Sequence, residues 1–244
     1  MTAERILMTG GDGRLGTELL PLLDNAVAPS EAEMDITDPA ALEATFRKHR
    51  PTVVLHAAAY TDVSAAQRER ARCWQVNVCG TRNVVRAAAR AGAKLVHIST
   101  DYVFEGTAGG YREDDPPGPV RNYYALSKLA AEELARFCPE YLILRTSFRA
   151  RQWPHPVAYR DVYTSQDYVD VIAPMIAAAV RRCREIPHDV LHVVTERKSA
   201  FELARRRRPD VQPGSKADAD VDLPEDISLD ASRYQALART WSDE

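Results

Sequence analysis

Apolar and polar positions alternate in blocks along the chain up to Arg145. Short apolar runs stand at 5–9, 26–28, 52–56, 94–98 and 141–145, with amphipathic stretches of helical period between them. Near-continuous apolar strands separated by helices describe a parallel sheet covered on both faces, because such strands bury both sides. The pattern predicts a strand at Arg5–Thr9, then a glycine-rich turn and a helix to about Leu23. Ala26–Ala28 is a weak second strand, and Pro39 opens a helix after Asp38, the preferred order of cap then proline. A third strand follows at Thr52–His56, and a long helical region runs from about Ala65 to Ala91, stopped by Gly92. The fourth strand is Lys94–Ile98. A helix over Asn122–Phe137 and a strand over Tyr141–Arg145 close the series.

Between them, Glu105–Val120 is polar and broken by glycine and proline, long enough to read as a functional loop. After Arg149 the alternation weakens. Short strands near Val157–Tyr159 and Leu191–Val194 surround a helix over about Asp167–Arg184, and a last helix is expected from Asp230. The expectation is an α/β fold, a Rossmann-type doubly wound parallel sheet over residues 1–147. Residues 148–244 form a small substrate-side subdomain, some of whose elements return to the sheet.

Composition narrows the function classes. At 244 residues, 45% apolar and 27% charged, the chain reads as an ordinary soluble globular protein. A net charge of −3 gives no reason to expect nucleic acid or an anionic membrane as partner. The longest apolar stretch, Val171–Val180, is interrupted by Pro174 and too short to span a bilayer. Met1-Thr2-Ala3-Glu4-Arg5 leads directly into the first apolar run without the parts of a secretory signal, so a cytoplasmic protein is expected. The four scattered cysteines read as free thiols, and the six histidines show no pair at metal spacing, so no metal is expected. His56 and His97, at strand ends, are expected to be satisfied structural residues.

Candidate chemistry begins at the first turn, Thr9-Gly10-Gly11-Asp12-Gly13-Arg14-Leu15-Gly16. Gly10, Gly13 and Gly16 give G-x-x-G-x-x-G between a strand and a helix, the context in which this motif binds a dinucleotide. Glycine serves there to turn tightly, to let backbone N–H groups approach a pyrophosphate and to pack helix on strand. The helix terminus adds partial positive charge beneath the phosphates. Asp12, Arg14 and Leu15 share the turn. The second strand ends at Pro29-Ser30 with no acid in the ribose position, and Arg14 is placed for a 2′-phosphate. NADP is therefore favoured, with Glu31 keeping NAD open. Asp35 and Ile36, before the next helix, are placed to meet the adenine ring.

Tyr124 and Lys128 stand four apart on a predicted helix, hence on one face. A carbonyl reductase needs a proton donor as hydride reaches carbon, and an ammonium beside a phenol favours the phenolate left behind. Ser99-Thr100-Asp101 ends the fourth strand at the carboxyl edge, where ligands bind in such sheets, and Thr100 would hydrogen-bond the carbonyl. A tyrosine and a lysine at this spacing are common by chance. The order of glycine turn, strand-end hydroxyl, tyrosine and lysine gives the reading its weight.

With those residues in hand, the sequence resembles the extended short-chain dehydrogenases, and among them the dTDP-4-dehydrorhamnose reductase family. The resemblance rests on GGDGRLG (10–16), DITD (35–38), RPTVVLHAAAYTDV (50–63), NVCGTRNV (77–84), LVHISTDYVFEG (95–106), YYALSKLAAEE (123–133) and LRTS (144–147). It implies Thr100, Tyr124 and Lys128 as the catalytic trio. It also implies that Ala57, Ala58, Ala59, Tyr60, Asn77 and Ser99 line the cofactor, and that Asp101, Tyr102 and Phe148 face the sugar. The reaction implied is reduction of the 4-keto group of a nucleotide-linked deoxyhexose by NADPH or NADH, in a possible homodimer. The departures lie on the substrate side: Ser64 and Gln67 replace an Asp and a Glu, Phe148-Arg149-Ala150 replaces an aromatic stretch, and a following helix is missing. Two alternatives stand beside it. One is a non-catalytic dinucleotide-binding subunit like the regulatory subunit of methionine adenosyltransferase, the other a nucleotide-sugar epimerase or dehydratase. The run Arg205–Arg208 reads as a solvated helix end, with a clamp for the substrate diphosphate as the sharper reading.

Overall fold

Four residues in a row are buried in β1 (Ile6–Thr9), the mark of a strand covered on both faces. The computed structural model to which it belongs describes residues 4–219 and 222–242; Met1 to Ala3, used in the N-terminal reading, lie outside them. The chain continues through α1 (Arg14–Leu19), β2 (Ala26–Val27), α2 (Pro39–His49) and β3 (Val53–His56). Asp38 caps α2 by accepting the Ala40 N–H, with Pro39 in the first turn, and basic Arg47, Lys48 and His49 face the carbonyl end of the dipole.

The long helix expected after β3 is segmented. It consists of α3 (Val63–Ala66), α4 (Arg70–Trp74), a π-helical turn over Gln75–Gly80, and α5 (Thr81–Ala91). Asp62 caps α3 on the Ala65 N–H, which fixes the start. Gly92, at φ +62°, ends α5 in the left-handed conformation where a side chain would be strained. β4 (Lys94–Thr100), α6 (Tyr123–Ala135, capped by Asn122) and β5 (Tyr141–Thr146) follow.

The six-stranded parallel sheet runs β10-β5-β4-β3-β1-β2, where β10 is Val190–His192. The chain leaves β1 for β2 on one side, then crosses to β3 on the other, so the strand order reverses between β1 and β3. The crevice outside the carboxyl ends of those strands is where open α/β sheets bind ligands. β1 and β3 are in register from Ile6↔Val53 to Thr9↔His56, which sets Gly10 beside Ala57 and Ala58.

The remaining elements are β6 (Phe148–Arg149), β7 (Val157–Tyr159), β8 (Tyr163–Thr164), β9 (Asp167–Tyr168), α7 (Val169–Arg181), β11 (Lys198–Ser199), α8 (Ala200–Arg205), β12 (Gln212–Gly214) and α9 (Ser232–Ser242). Three two-stranded pairs, β6–β9, β8–β11 and β7–β12, join them.

The chain divides into two interleaved units. The first holds the chain up to Ser99, Arg121–Leu144 and Ala173–Val190; the second holds Thr100–Val120, Arg145–Ile172 and the chain from Leu191 on. Sequence placed one change near residue 147, with later elements returning to the sheet. In the structure the chain passes between units repeatedly, and the Gly/Pro loop 105–120 belongs with the second. The first unit's core joins Leu7, Ile36, Leu42, Val54, Val84, Leu95 and Ile143; the second has a core of Trp153, Tyr168, Leu203 and Val211.

Candidate functional site

Gly10 has φ +74°, and a Cβ there would lie 2.7 Å from the Ala58 nitrogen, so only glycine lets β1 and β3 end this close together. Gly13 N–H closes the turn on Gly10 O at 3.1 Å. A Cβ on Gly16 would strike Gly10 O, so α1 presses directly onto the turn. Gly13 caps α1 without a side-chain hydrogen bond, leaving the first helical amides free of a side-chain partner. A glycine cradle below an uncapped helix start fits the pyrophosphate of a dinucleotide. Asp12 and Arg14 are exposed at this turn, whereas Leu15 is buried in the core.

A buried polar chain leads from that turn to α6. The Thr81 hydroxyl donates to Asn77 O at 2.6 Å and meets His56 Nε2 at 2.9 Å, so the imidazole carries its proton on Nε2. His56 Nδ1 then accepts from Thr9 Oγ1 at 2.8 Å, and Thr9 Oγ1 accepts the Ala58 N–H at 3.1 Å. Burial first, and the Lys128 charge second, push the His56 pKa down to about 3, which keeps the ring neutral. Asn77 Oδ1 accepts the Tyr60 N–H at 2.7 Å, and Nδ2 donates to Tyr60 O at 3.1 Å and to Ser127 Oγ at 2.9 Å. Ser127 Oγ donates to Tyr124 O at 2.7 Å. Sequence reading had not connected Thr9, Thr81 and Ser127. The available signal was Asn77 and Thr81 four apart, with a hydroxyl and an imidazole at two adjacent strand ends.

Tyr124 and Lys128 lie one turn apart on α6, both buried, and Lys128 Nζ donates to Ile98 O at 2.8 Å. Desolvation dominates at Lys128 and lowers its pKa to about 8, against the raising effect of Glu132 and Cys73. Ser99 Oγ, next along β4, is buried with no hydrogen-bond partner among the described residues. An orphaned hydroxyl at the carboxyl edge is the kind of group a ligand satisfies.

Other expected cofactor residues take different places. Ser30 is engaged by Glu33, whose Oε2 accepts from both its N–H and its hydroxyl at 3.0 Å. Asp35 accepts the Thr37 N–H at 2.7 Å. Ile36 packs in the core against Gly80, and Asn77 has its polar atoms engaged by Tyr60 and Ser127. Ala57, Ala58, Ala59 and Tyr60 are half-buried behind β3. One expectation is corrected: His56 is satisfied, but His97 is buried with neither ring nitrogen partnered among the described residues, its pKa held well below the ordinary value by burial.

In the second unit, Thr100 Oγ1 donates to Asp101 Oδ1 at 3.0 Å and accepts the Tyr102 N–H at 3.2 Å. The single Thr100 proton is thus engaged, and donating to a carbonyl requires exchanging this bond. Asp101 is buried, which pushes its pKa up to about 6, while bonds from Ser147 and Thr100 favour the charged form. Tyr102 and Phe148 are half-buried, and Phe148 pairs with Asp167 across β6 and β9. In the run at the end of α8, Arg205–Arg207 are exposed and Arg208 is half-buried, and three of the four are ion-paired: Arg206 to Asp167 at 2.9 Å, Arg207 to Asp170 at 2.9 Å, Arg208 to Asp210 at 3.6 Å. Among the described residues no group of three His, Cys, Asp or Glu is placed to hold a metal, and no helix is long and apolar enough to cross a membrane.

Sheet order, glycine turn and the Tyr–Lys helix define a Rossmann-type α/β protein bearing the marks of a short-chain dehydrogenase. More narrowly, the chain belongs to the RmlD substrate binding domain family, which it matches over residues 4–150. It is 41% identical over 157 residues to a dTDP-4-dehydrorhamnose reductase of Mycobacterium tuberculosis (strain CDC 1551 / Oshkosh), covering 60% of this chain and 50% of that one. The chain spans about half the length of the curated relatives it matches. Among solved structures it resembles the dTDP-4-dehydrorhamnose reductase of Bacillus anthracis str. Ames in complex with NADP, with TM-score 0.83, 28% identity and full coverage of both chains. A hypothetical dTDP-4-dehydrorhamnose reductase from Sulfolobus tokodaii gives TM-score 0.78 and 31% identity, covering 96% of this chain and 94% of that one.

Proposed function

We propose that this protein reduces the 4-keto group of a dTDP-linked deoxyhexose, with NADPH as preferred hydride source. The observation that carries the proposal is the pair Tyr124 and Lys128 on one face of α6, tied by the buried chain to the glycine turn. A reduced nicotinamide supplies the hydride when bound. Gly10, Gly13 and the first amides of α1 would hold its pyrophosphate, with exposed Arg14 available to a 2′-phosphate. Tyr124 gives its phenolic proton to the carbonyl oxygen. The Lys128 ammonium, fixed by Ile98 O, stabilises the phenolate that remains. Ser99 takes up a ligand contact, and Thr100, whose hydroxyl donates to Asp101, keeps the carbonyl-binding role that the family resemblance gives it.

The nucleotide sugar as substrate, a cytoplasmic location and a homodimer complete the reading. The test is oxidation of NADPH and NADH, followed at the nicotinamide absorbance, with dTDP-linked and UDP-linked 4-keto sugars. Consumption of NADPH with the dTDP sugar is expected. No consumption with any of them overturns the proposal.

A further inference from the structure

Within the first unit a second cavity, of about 720 Å³, opens between α2 and α5. Arg5, Thr52 and Gly92 on its rim precede β1, β3 and β4, so it lies at the amino ends of the strands, opposite the edge that carries the glycine turn. Six arginines line it (Arg5, Arg47, Arg50, Arg86, Arg90 and Arg184) against one carboxylate, Glu43, in a chain whose net charge is −3. Three of the six are engaged: Arg47 with Glu43, Arg184 with Glu4 and Glu140, and Arg5 through Nε on Arg50 O. Arg50, Arg86 and Arg90 are exposed and have no ion-pair partner among the described residues.

Arg86 and Arg90 stand four apart on α5, where like charges repel. Arg50 joins them from the end of α2, in a left-handed backbone conformation at φ +45°. The apolar part of the lining is Pro39, Ala87 and Ala91, and it reaches the core side chains Leu42 and Phe46. Uncompensated cations beside an apolar lining, in a cavity of ligand size, are complementary to an anion with a hydrophobic body. Guanidinium forks match phosphate oxygens better than any other common anion donor.

From this we infer that the protein carries a second ligand site, distinct from its dinucleotide and substrate positions, for an aromatic phosphate monoester. Its phosphate sits among Arg50, Arg86 and Arg90 and its ring against the apolar part of the lining between α2 and α5. The site stands independently of the reductase reading, since no residue is shared.

The test uses the whole chain saturated with NADP, so that the glycine turn is filled, and titrates 1-naphthyl phosphate by its fluorescence. The ester is expected to bind at least ten-fold more tightly than either 1-naphthol or inorganic phosphate. In the Arg86→Ser/Arg90→Ser protein, and in Arg50→Ser, its affinity falls at least ten-fold while NADP affinity and the thermal midpoint stay at the parent's values. Equal binding of naphthol and its phosphate, or undiminished binding by the arginine variants, overturns the inference.

Discussion

Replacing Asn77 by alanine tests whether the buried chain positions the site. Besides a weak bond to Cys73 Sγ at 3.6 Å, the side chain makes three hydrogen bonds, at 2.7, 3.1 and 2.9 Å, to the Tyr60 N–H, the Tyr60 carbonyl and Ser127 Oγ. Each is worth about 1 kcal/mol net, and a buried group left unpaired costs about 1–3 kcal/mol. Tyr60 is half-buried, so water recovers part of that loss, and Ser127 keeps its bond to Tyr124 O. The expected destabilisation is about 3 kcal/mol. With a urea slope of roughly 2–3 kcal/mol per molar, the midpoint falls by about 1 M. Because Tyr60 and the alanines before it lose their tether, NADP affinity should fall as well. Asn77→Asp keeps the acceptor for the Tyr60 N–H but loses both donors and buries a charge, so at neutral pH it should be at least as unstable as alanine. A loss below 1 kcal/mol in the alanine protein, with NADP affinity unchanged, would refute the positioning role.

Four further outcomes follow from the same geometry. Tyr124→Phe should lower kcat about a hundredfold or more with little change in KM, read from steady-state NADPH oxidation; a parent-like kcat removes Tyr124 as proton donor. Gly10→Ala forces a Cβ to 2.7 Å from the Ala58 nitrogen at positive φ, so it should cost about 3 kcal/mol and abolish NADP binding, checked by urea unfolding and calorimetry. Lys128, with its pKa near 8, is charged below that pH, so kcat/KM should fall as pH rises through about 8; an alkaline limb only near 10 would show that the lysine is not desolvated. Asp101 has its pKa raised from 3.8 to about 6, so the folded state holds the extra proton between those values and stability falls as pH rises through that window. The loss is up to about 3 kcal/mol. Asp101→Asn should flatten this fall, and urea midpoints from pH 4 to 7 that match the parent's would contradict it.

The sheet was legible because its strands are buried on both faces: β1, β3 and β5 read as apolar runs and appear within a residue or so of the expected bounds. Caps were equally local, and Asp38, Asn122 and Gly92 end or begin helices as their chemistry requires. What sequence did not show depends on distant partners. The break between α3 and α4 and the π-helical turn at Gln75–Gly80 fall inside a stretch with helical periodicity throughout, and the turn carries Asn77 to Tyr60 and Ser127. Of the paired strands, β7 is the one the sequence shows; β6, β8, β9, β11 and β12 are two or three residues long, too short to show a period, and each strand's partner lies about twenty residues or more away. His97 differs from His56 only in what surrounds it, which no local pattern encodes.

The family motifs are separated widely in the sequence, yet the buried hydrogen bonds join them into one object. Thr9 comes from the glycine-turn segment, His56 from the strand before the alanines, Asn77 and Thr81 from the NVCGT stretch, and Ser127 from within Y-x-x-x-K. Each member donates in one direction and accepts from another, so the proton order is fixed from the Asn77 carbonyl back to the Ala58 amide. A neutral His56 is essential to that order: an imidazolium would give Nδ1 a proton and set it against the Thr9 hydroxyl proton. The burial that lowers its pKa to about 3 therefore does more than hide a polar ring. It keeps the ends of β1 and β3 locked in register at ordinary pH. The same chain fixes α6 through the Tyr124 carbonyl, so the helix bearing the proposed proton donor is held against the turn that would hold the cofactor. Spacing within any one motif is modest evidence of function; four motifs sharing one hydrogen-bond chain are stronger evidence than any of them alone.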